Sequence, residues 1–503
     1  MIRSFRTLIS PAVAPFKTVM SFIVRATMQW SASLCHSLVP HTNGQLSLRY
    51  VAPAISVKLA RPVLGCIAVA VINSCGSTPA AKQVNLSRYP VKIVLPVSPI
   101  SKADSERIHN ACEVWYNHVL GSHSFNGGIV VAKNGNIVFE AYNGSARPGS
   151  TDLITDSTSF HIASVSKTFT AMATLKLWQD GKLFSLDDEL SKYLPSFNYP
   201  GVTIRLLLSH RSGLPNYVHF MENMGWDKKV NITNQSMFDF LTTHKAEIPN
   251  IGTPNRGFTY CNTNYALLAL LIEKLSGKKY GDYLQQTFFT PLQMSHTFAY
   301  DNLKDSNKVT LSYDYRGRVI PINFLDQVYG DKNIYSTPRD LLTWDRALTS
   351  NLFFTPKTLA EAYAPYSNEK RGIRNYGLGW RMNIFPSGKK MIYHNGWWHG
   401  NNAAFIRLIE DSATIVVLGN KYNRGIYHAK DLANIFGSYF GDGEEEEGEA
   451  AKNTEPAVIT PRSQVLKHRP VKTVKPLSKK VSARQKTITR PKIKKAPTKK
   501  KRK

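Results

Sequence analysis

Acidic residues are almost missing from both ends of this 503-residue chain. Between Met1 and Lys102 there are 11 lysines and arginines and no aspartate or glutamate; between Ala451 and Lys503 there are 19 basic residues against the single acid Glu455. The stretch between holds 34 of each sign, so the net charge of +29 belongs to the flanks alone. A neutral centre gives no ground for counting nucleic acid among its partners, whatever the pI. Cysteine is scarce too: of five, only Cys112 and Cys261 fall in the central region, with no Cys-x-x-Cys pair and no histidine-rich spacing around them. This argues against a disulfide framework and against a metal site, and the two thiols are not expected to pair. Nor does the basic first hundred residues contain an apolar run long enough to cross a membrane as a helix.

What that leader does contain is a short signal. Lys58 and Arg61 precede the apolar run Val63 to Ile72, which ends in Ile72-Asn73-Ser74-Cys75 and gives way to Gly76-Ser77-Thr78-Pro79. A basic start, an apolar segment too short to span and a small residue before the cut are the layout of an export signal. The layout resembles the lipobox of bacterial lipoproteins, which makes Cys75 the lipidated residue and a membrane the anchor, although Asn73 stands where a small residue is usual. Such a signal opens a protein, so the residues before about Val51 read as an extension from an upstream start codon. Two rival readings stay open: a mitochondrial transit peptide, since the region is Arg/Ser-containing and acid-free, and a leader with an accidental apolar stretch.

The centre reads as a mixture of strands and helices. Ile108, Cys112, Trp115 and Val119 recur at helical spacing from Ser105 to Leu120, and two β-branched runs between Gly128 and Tyr142 flank Asn134-Gly135, a hairpin turn. Phe169, Met172, Leu175 and Leu177 predict a buried amphipathic helix with Ser164 at its entrance. Val202 to Leu214 reads as a short helix closed by Gly213, and Tyr265 to Leu275 as a buried helix ended by Ser276-Gly277. Ser336 or Thr337 should cap a helix begun by Pro338. Strands follow at Gly379 to Asn383, Lys390 to His394, Ala403 to Glu410 and Thr414 to Asn420, then a helix from about Tyr427 to Phe440. Strands at both ends with helices between imply an α+β domain whose sheet gathers both ends of the sequence.

Beyond Asp442 the composition turns acidic, Glu444 to Glu449, and then basic and nearly free of aromatics. Such a segment cannot bury enough apolar surface to offset its ordering entropy, which predicts a disordered tail drawn to anionic surfaces. The expected organisation is therefore a leader at 1–75, a linker at 76–103, a folded α+β domain at 104–442 and a tail at 443–503.

Ser164 and Lys167 lie one helical turn apart, which puts an amine beside a hydroxyl. Serine is a poor nucleophile at neutral pH, and a lysine activates it only when desolvated or flanked by positive charge. By itself Ser-x-x-Lys is a common pattern, in which the serine caps a helix and the lysine is solvated. Two further short motifs accompany it: Tyr260-Cys261-Asn262 before a helix, and His394-Asn395-Gly396 at a strand end before Trp397.

In this order and at these separations the three motifs resemble the penicillin-recognising serine hydrolases: class C β-lactamases, related D-alanyl-D-alanine carboxypeptidases, D-aminopeptidases and esterases. Leu206 to Leu214 (Leu-Leu-Leu-Ser-His-Arg-Ser-Gly-Leu), Phe258 to Tyr265, Tyr335 to Asp340 and Tyr376-Gly-Leu-Gly-Trp380 extend the likeness over about residues 104 to 440. The resemblance implies an antiparallel sheet flanked by helices plus an all-helical subdomain. It makes Ser164 the nucleophile of an acyl-enzyme, with Lys167 and Tyr260 sharing the proton work and Asn262 holding Lys167 and the substrate. The backbone N–H groups of Ser164 and Trp397 form its oxyanion hole, with His394 and Gly396 lining the substrate site. It requires no metal and no cofactor.

Many relatives carry Lys-Thr-Gly at the third motif, where the lysine receives a substrate carboxylate. Here His394 resembles the corresponding histidine of certain carboxypeptidases, D-aminopeptidases and esterases, so efficient penicillin hydrolysis is not expected. The histidine's charge should vary with pH near 6.5, and its ring should reach Tyr260. Trp397, Trp398 and His399 suggest an aromatic wall at the pocket mouth. The expected activity is hydrolysis of a small D-amino-acid peptide, amide or ester in the cell envelope. The alternative is a non-catalytic scaffold of the same fold whose basic tail is the working part.

Overall fold

The hairpin turned by Asn134-Gly135 forms one edge of the central sheet. The computed structural model describes residues 93, 95–121, 125–147, 151–301, 305 and 309–440. In it β1 (Gly127–Lys133) and β2 (Asn136–Asn143) are joined by Asn134 at φ 55° and Gly135 at φ 79°, the paired positive values a two-residue turn needs. The other strands come from the far end of the domain: β3 (Arg374–Tyr376), β4 (Arg381–Ile384), β5 (Lys390–Trp398), β6 (Asn401–Leu408) and β7 (Ala413–Gly419). The order is β2-β1-β7-β6-β5-β4-β3, antiparallel throughout, so the sheet gathers strands from both ends of the described domain. β3 was not anticipated, being only three residues long.

Alternation along the strands divides the core in two. In β7, Ile415 and Val417 face α1 (Lys102–Trp115) and the Arg424–Ile435 segment, whereas Val416 and Leu418 join the larger core around α2 (Ser166–Gln179), α3 (Asn262–Ser276) and α4 (Pro338–Thr349). Cys112 belongs to the first core and Cys261 to the second; both are free thiols on opposite sides of the sheet. Short helices at Ile204–Leu208, Tyr217–Asn223, Asn234–Thr243 and Tyr280–Leu284 pack around α3 as the helical subdomain.

Several local expectations change. α2 is not amphipathic: every residue from Ser166 to Leu175 is buried, because the helix runs through the middle of the larger core beside α3. The helix after Val202 is capped at Ser209, and His210 takes the left-handed turn directly beyond it, at φ 57°, ahead of Gly213 at φ 72°. Gly213 lies where a β-carbon would come 2.5 Å from the Gly252 carbonyl oxygen. The last helix is a 3₁₀ segment, Arg424–Ile435, begun early because Asn423 caps it by accepting from the Gly425 N–H. The Pro338 helix is capped as expected, by Thr337 accepting from the Asp340 N–H. Among the described residues no helix is long and apolar enough to cross a membrane. Cys75, the leader and the tail lie outside the described residues.

Candidate active site

Ser164 sits on a 3₁₀ turn, Ala163–Val165, immediately before α2. Ala163 adopts φ 47°, rare for a residue with a β-carbon, and the surroundings hold it there. Its N–H donates to His161 Nδ1 at 3.1 Å, while Ile162 N–H donates to the Ile334 carbonyl at 2.9 Å and Ile334 N–H to Ser166 Oγ at 3.1 Å. With Nδ1 accepting, the His161 proton resides on Nε2 and is given to Asn333 Oδ1 at 3.0 Å. The turn is thus fixed to the strand Ile334–Ser336 before any substrate arrives.

Lys167 is fully buried one turn further along, and its ammonium has three acceptors: Ser164 Oγ at 3.0 Å, Asn262 Oδ1 at 2.7 Å and the Asp331 carbonyl at 2.8 Å. An ammonium has three donors, so this geometry fits the charged form, with Ser164 Oγ accepting and keeping its own proton for another base. Asn262 is the first residue of α3, a turn earlier than the sequence suggested, which points its side chain at α2.

Tyr260 precedes the same helix and is half-buried. Its ring centre lies 4.9 Å from Lys167 Nζ and 5.0 Å from the Arg381 guanidinium carbon. Two cations thus stand against the ring of this phenol, just ahead of the first turn of α3.

β5 closes the site from the other side. A β-carbon on Gly396 would stand 2.3 Å from the Ile162 carbonyl oxygen and 3.2 Å from the Ser164 amide nitrogen, so only glycine lets strand and nucleophile turn approach this closely. The triplet lies inside the strand and not at its end, since β5 continues to Trp398. His394 is fully buried; its Nδ1 donates to the Asn395 carbonyl at 2.7 Å and its Nε2 lies 3.2 Å from Tyr376 Oη, with its ring centre 6.3 Å from that of Tyr260. Burial above all, then the Arg381 and Lys167 charges, holds its pKa well below the ordinary imidazole value. The expectation of titration near 6.5 is therefore corrected: His394 is neutral at physiological pH.

The aromatic wall is also smaller than expected. Strand alternation turns Trp398 inward, where its indole bonds Asp326, and His399 Nε2 meets the same carboxylate at 3.0 Å. Trp397 stays half-exposed, 5.7 Å from the Tyr422 ring.

Lys167 thus meets Ser164, Asn262 and the Tyr260 ring, Gly396 lies against the Ser164 turn, and His394 and Trp397 flank Gly396 on β5. Sequence reasoning missed Asp331, whose contribution is a main-chain oxygen and so leaves no side-chain signal. It also missed Arg381, although this residue directly follows the Tyr376-Gly-Leu-Gly-Trp380 motif. Among the described residues, no group of three or more His, Cys, Asp or Glu is arranged to hold a metal ion.

Comparison with known proteins gives concordant results. A family model described as "Beta-lactamase" matches residues 116–437. Penicillin-binding protein 4* of Bacillus subtilis (strain 168) is 32% identical over 315 residues, covering 59% of this chain and 69% of the relative. The octameric penicillin-binding protein homologue from Pyrococcus abyssi aligns with a TM-score of 0.56 at 24% identity, over 65% of this chain and 78% of that one. The D-amino acid amidase from Ochrobactrum anthropi SV3 aligns with a TM-score of 0.52 at 23% identity, over 66% and 97%. At these identities the two structural likenesses show a shared fold.

Proposed function

Because the chain belongs to the beta-lactamase family, we propose that it is a serine hydrolase forming a covalent acyl-enzyme through Ser164, with a D-amino-acid peptide, amide or ester as substrate. The observation that carries this reading is the buried Lys167 ammonium, bonded at once to Ser164 Oγ and Asn262 Oδ1. Neither a helix cap nor a solvated lysine would be built this way.

The proton work follows from that geometry. Lys167 donates to Ser164 Oγ, so the base that takes the serine proton is Tyr260, acidified by Lys167 and Arg381. As Ser164 Oγ attacks the carbonyl, the backbone N–H groups of Ser164 and Trp397 receive the negative oxygen; loss of one such donor costs about 2.7–4 kcal/mol elsewhere. Tyr260 then protonates the leaving amine or alkoxide. In the second half it deprotonates a water that attacks the ester, and Ser164 is regenerated. Neutral His394 cannot supply the cation that other relatives place at the third motif. Arg381, beside the phenol, is the cation a substrate carboxylate would meet.

The substrate class draws support from the D-amino acid amidase that shares the fold. The neutral third motif disfavours efficient penicillin hydrolysis. We also infer a catalytic domain spanning 104–442, anchored to the cell envelope through lipidated Cys75, with the 443–503 tail attracted to anionic surfaces. Diacylglycerol on Cys75 in an intact-mass spectrum would support the anchor, and a cut elsewhere would sink it.

A fluorophosphonate probe tests the hydrolase. Wild-type protein should be labelled and Ser164→Ala should not, and turnover of D-Ala-D-Ala peptides, D-amino-acid amides and short esters should exceed that of nitrocefin. No labelling under any condition would favour the non-catalytic scaffold.

A further inference from the structure

The Ser-His-Arg-Ser-Gly motif has no part in the chemistry above, yet its histidine lies against the base. We infer that His210 is a positioning residue for the reaction, gripping Tyr260 along both its main chain and its ring; the inference rests on the hydrolase reading of the site. His210 is fully buried in the left-handed conformation, φ 57°, a position more often given to glycine. That backbone turn brings two acceptors of one residue to the two sides of Tyr260. The His210 carbonyl accepts from the Thr259 N–H at 2.9 Å, and His210 Nδ1 accepts from the Cys261 N–H at 3.1 Å. The residues before and after the phenol are therefore held by the same histidine. Its ring completes the grip, with its centre 4.4 Å from that of Tyr260, 4.9 Å from Tyr376 and 5.0 Å from Tyr265.

The grip needs a neutral ring. With Nδ1 accepting, the proton sits on Nε2, which is buried without a hydrogen-bond partner. A second proton would fall on Nδ1 and face the Cys261 N–H, breaking that bond. Burial, followed by the charges of Lys167, His394 and Arg381, holds the pKa well below the ordinary imidazole value. A phenylalanine would fill the same aromatic pocket without an unpaired N–H. The histidine supplies what phenylalanine lacks, an acceptor for the segment that carries the base.

The test is a double-mutant cycle in the full chain. His210→Phe keeps a ring and deletes the acceptor; His210→Asn suits the left-handed backbone and returns an acceptor oxygen. Each is made in the wild-type and Tyr260→Phe backgrounds, with turnover normalised by fluorophosphonate titration of Ser164. His210→Phe should lower kcat about 100-fold with KM within threefold, and move the acid limb of kcat/KM to higher pH as the phenol loosens from its cations. His210→Asn should regain at least tenfold of that loss. In the Tyr260→Phe background either change should cost less than about threefold, because the base it acts through is gone. Equal losses in both backgrounds, or normal kcat with a lowered unfolding midpoint, would show a purely structural histidine and overturn the inference. Should His210→Phe fail to fold, the His210→Asn arm of the cycle carries the same two outcomes. Wild-type protein that resists the probe would defeat the hydrolase reading itself, which is a separate result.

Discussion

Lys167 Nζ donates at 2.8 Å to the main-chain oxygen of Asp331, a residue 164 positions away in the chain. With Ser164 Oγ and Asn262 Oδ1 this sets three oxygen acceptors around the ammonium, as many as it has donors. Lys167→Met should therefore lower the acylation rate by about 10²–10⁴. It should also destabilise the fold, by about 1–3 kcal/mol for each acceptor left unpaired. Single-turnover labelling and urea unfolding measure the two effects separately. Lys167→Arg should not rescue the rate, since a planar fork cannot point donors at three acceptors arranged around an ammonium.

Gly396 is constrained by its neighbours across the site. Gly396→Ala places a methyl 2.3 Å from the Ile162 carbonyl oxygen, which forces β5 and the Ser164 turn apart. A loss of about 1–3 kcal/mol in stability is expected, as for overpacking elsewhere, with acylation falling further than stability alone explains. An alanine variant that labels at the wild-type rate would refute the claim that this approach positions the nucleophile.

Beneath the site Lys332 and Asp331 form a buried ion pair at 3.3 Å, shared with the Tyr217 hydroxyl, which donates to Asp331 Oδ2 at 2.9 Å. The Lys332 ammonium also lies 4.6 Å from the Trp398 ring centre. Lys332→Met leaves the Asp331 carboxylate buried without its cation and should cost about 3–5 kcal/mol in unfolding free energy. Tyr217→Phe, which keeps both charges, should cost less. A smaller loss for Lys332→Met than for Tyr217→Phe in denaturant titrations would contradict the pairing.

Stability should fall on acidification for a reason visible at His161. Its pKa is lowered to about 4, chiefly by burial, while the unfolded chain protonates near 6.5. Below 6.5 the unfolded state binds a proton that the folded state refuses, so stability declines as pH drops from 6.5 towards 4 and is unaffected above that window. For this one residue the loss is about 2 kcal/mol at pH 5. His394 and His210, both held well below the ordinary value, act in the same direction. His161→Gln should flatten part of the slope of urea midpoint against pH; an unchanged slope would refute the assignment.

The proposed proton path runs through Tyr260 and Lys167 and asks for no metal ion. Turnover of an ester substrate after exhaustive dialysis against EDTA should stay within experimental error of the untreated protein. A loss restored by a divalent cation would require a different mechanism.

Local chemistry was what the sequence conveyed best. Asn134-Gly135, the Thr337 cap with Pro338, and the Ser164 to Lys167 spacing each depend on a few neighbouring residues, and each lies as read. What depended on the rest of the chain was harder to see. The burial of α2 on all sides, the inward turn of Trp398 and the depressed titration of His394 follow from packing against residues far away in sequence. Main-chain contributions such as the Asp331 carbonyl and the His210 carbonyl leave no trace in side-chain pattern. Arg381 was written beside a motif, but nothing in its neighbours indicates that β4 carries it to the phenol.

In the sheet order, β1 lies between β2 and β7, the first strand of the domain beside its last. A ribosome makes Ser164 early and the β5 strand opposite it much later, and until β7 has left the exit tunnel one side of β1 has no partner. A nascent chain therefore carries an unfinished, sticky edge and an incapable nucleophile for most of its synthesis. Premature stops near the carboxyl end of the domain should yield aggregates, not weakened catalysts.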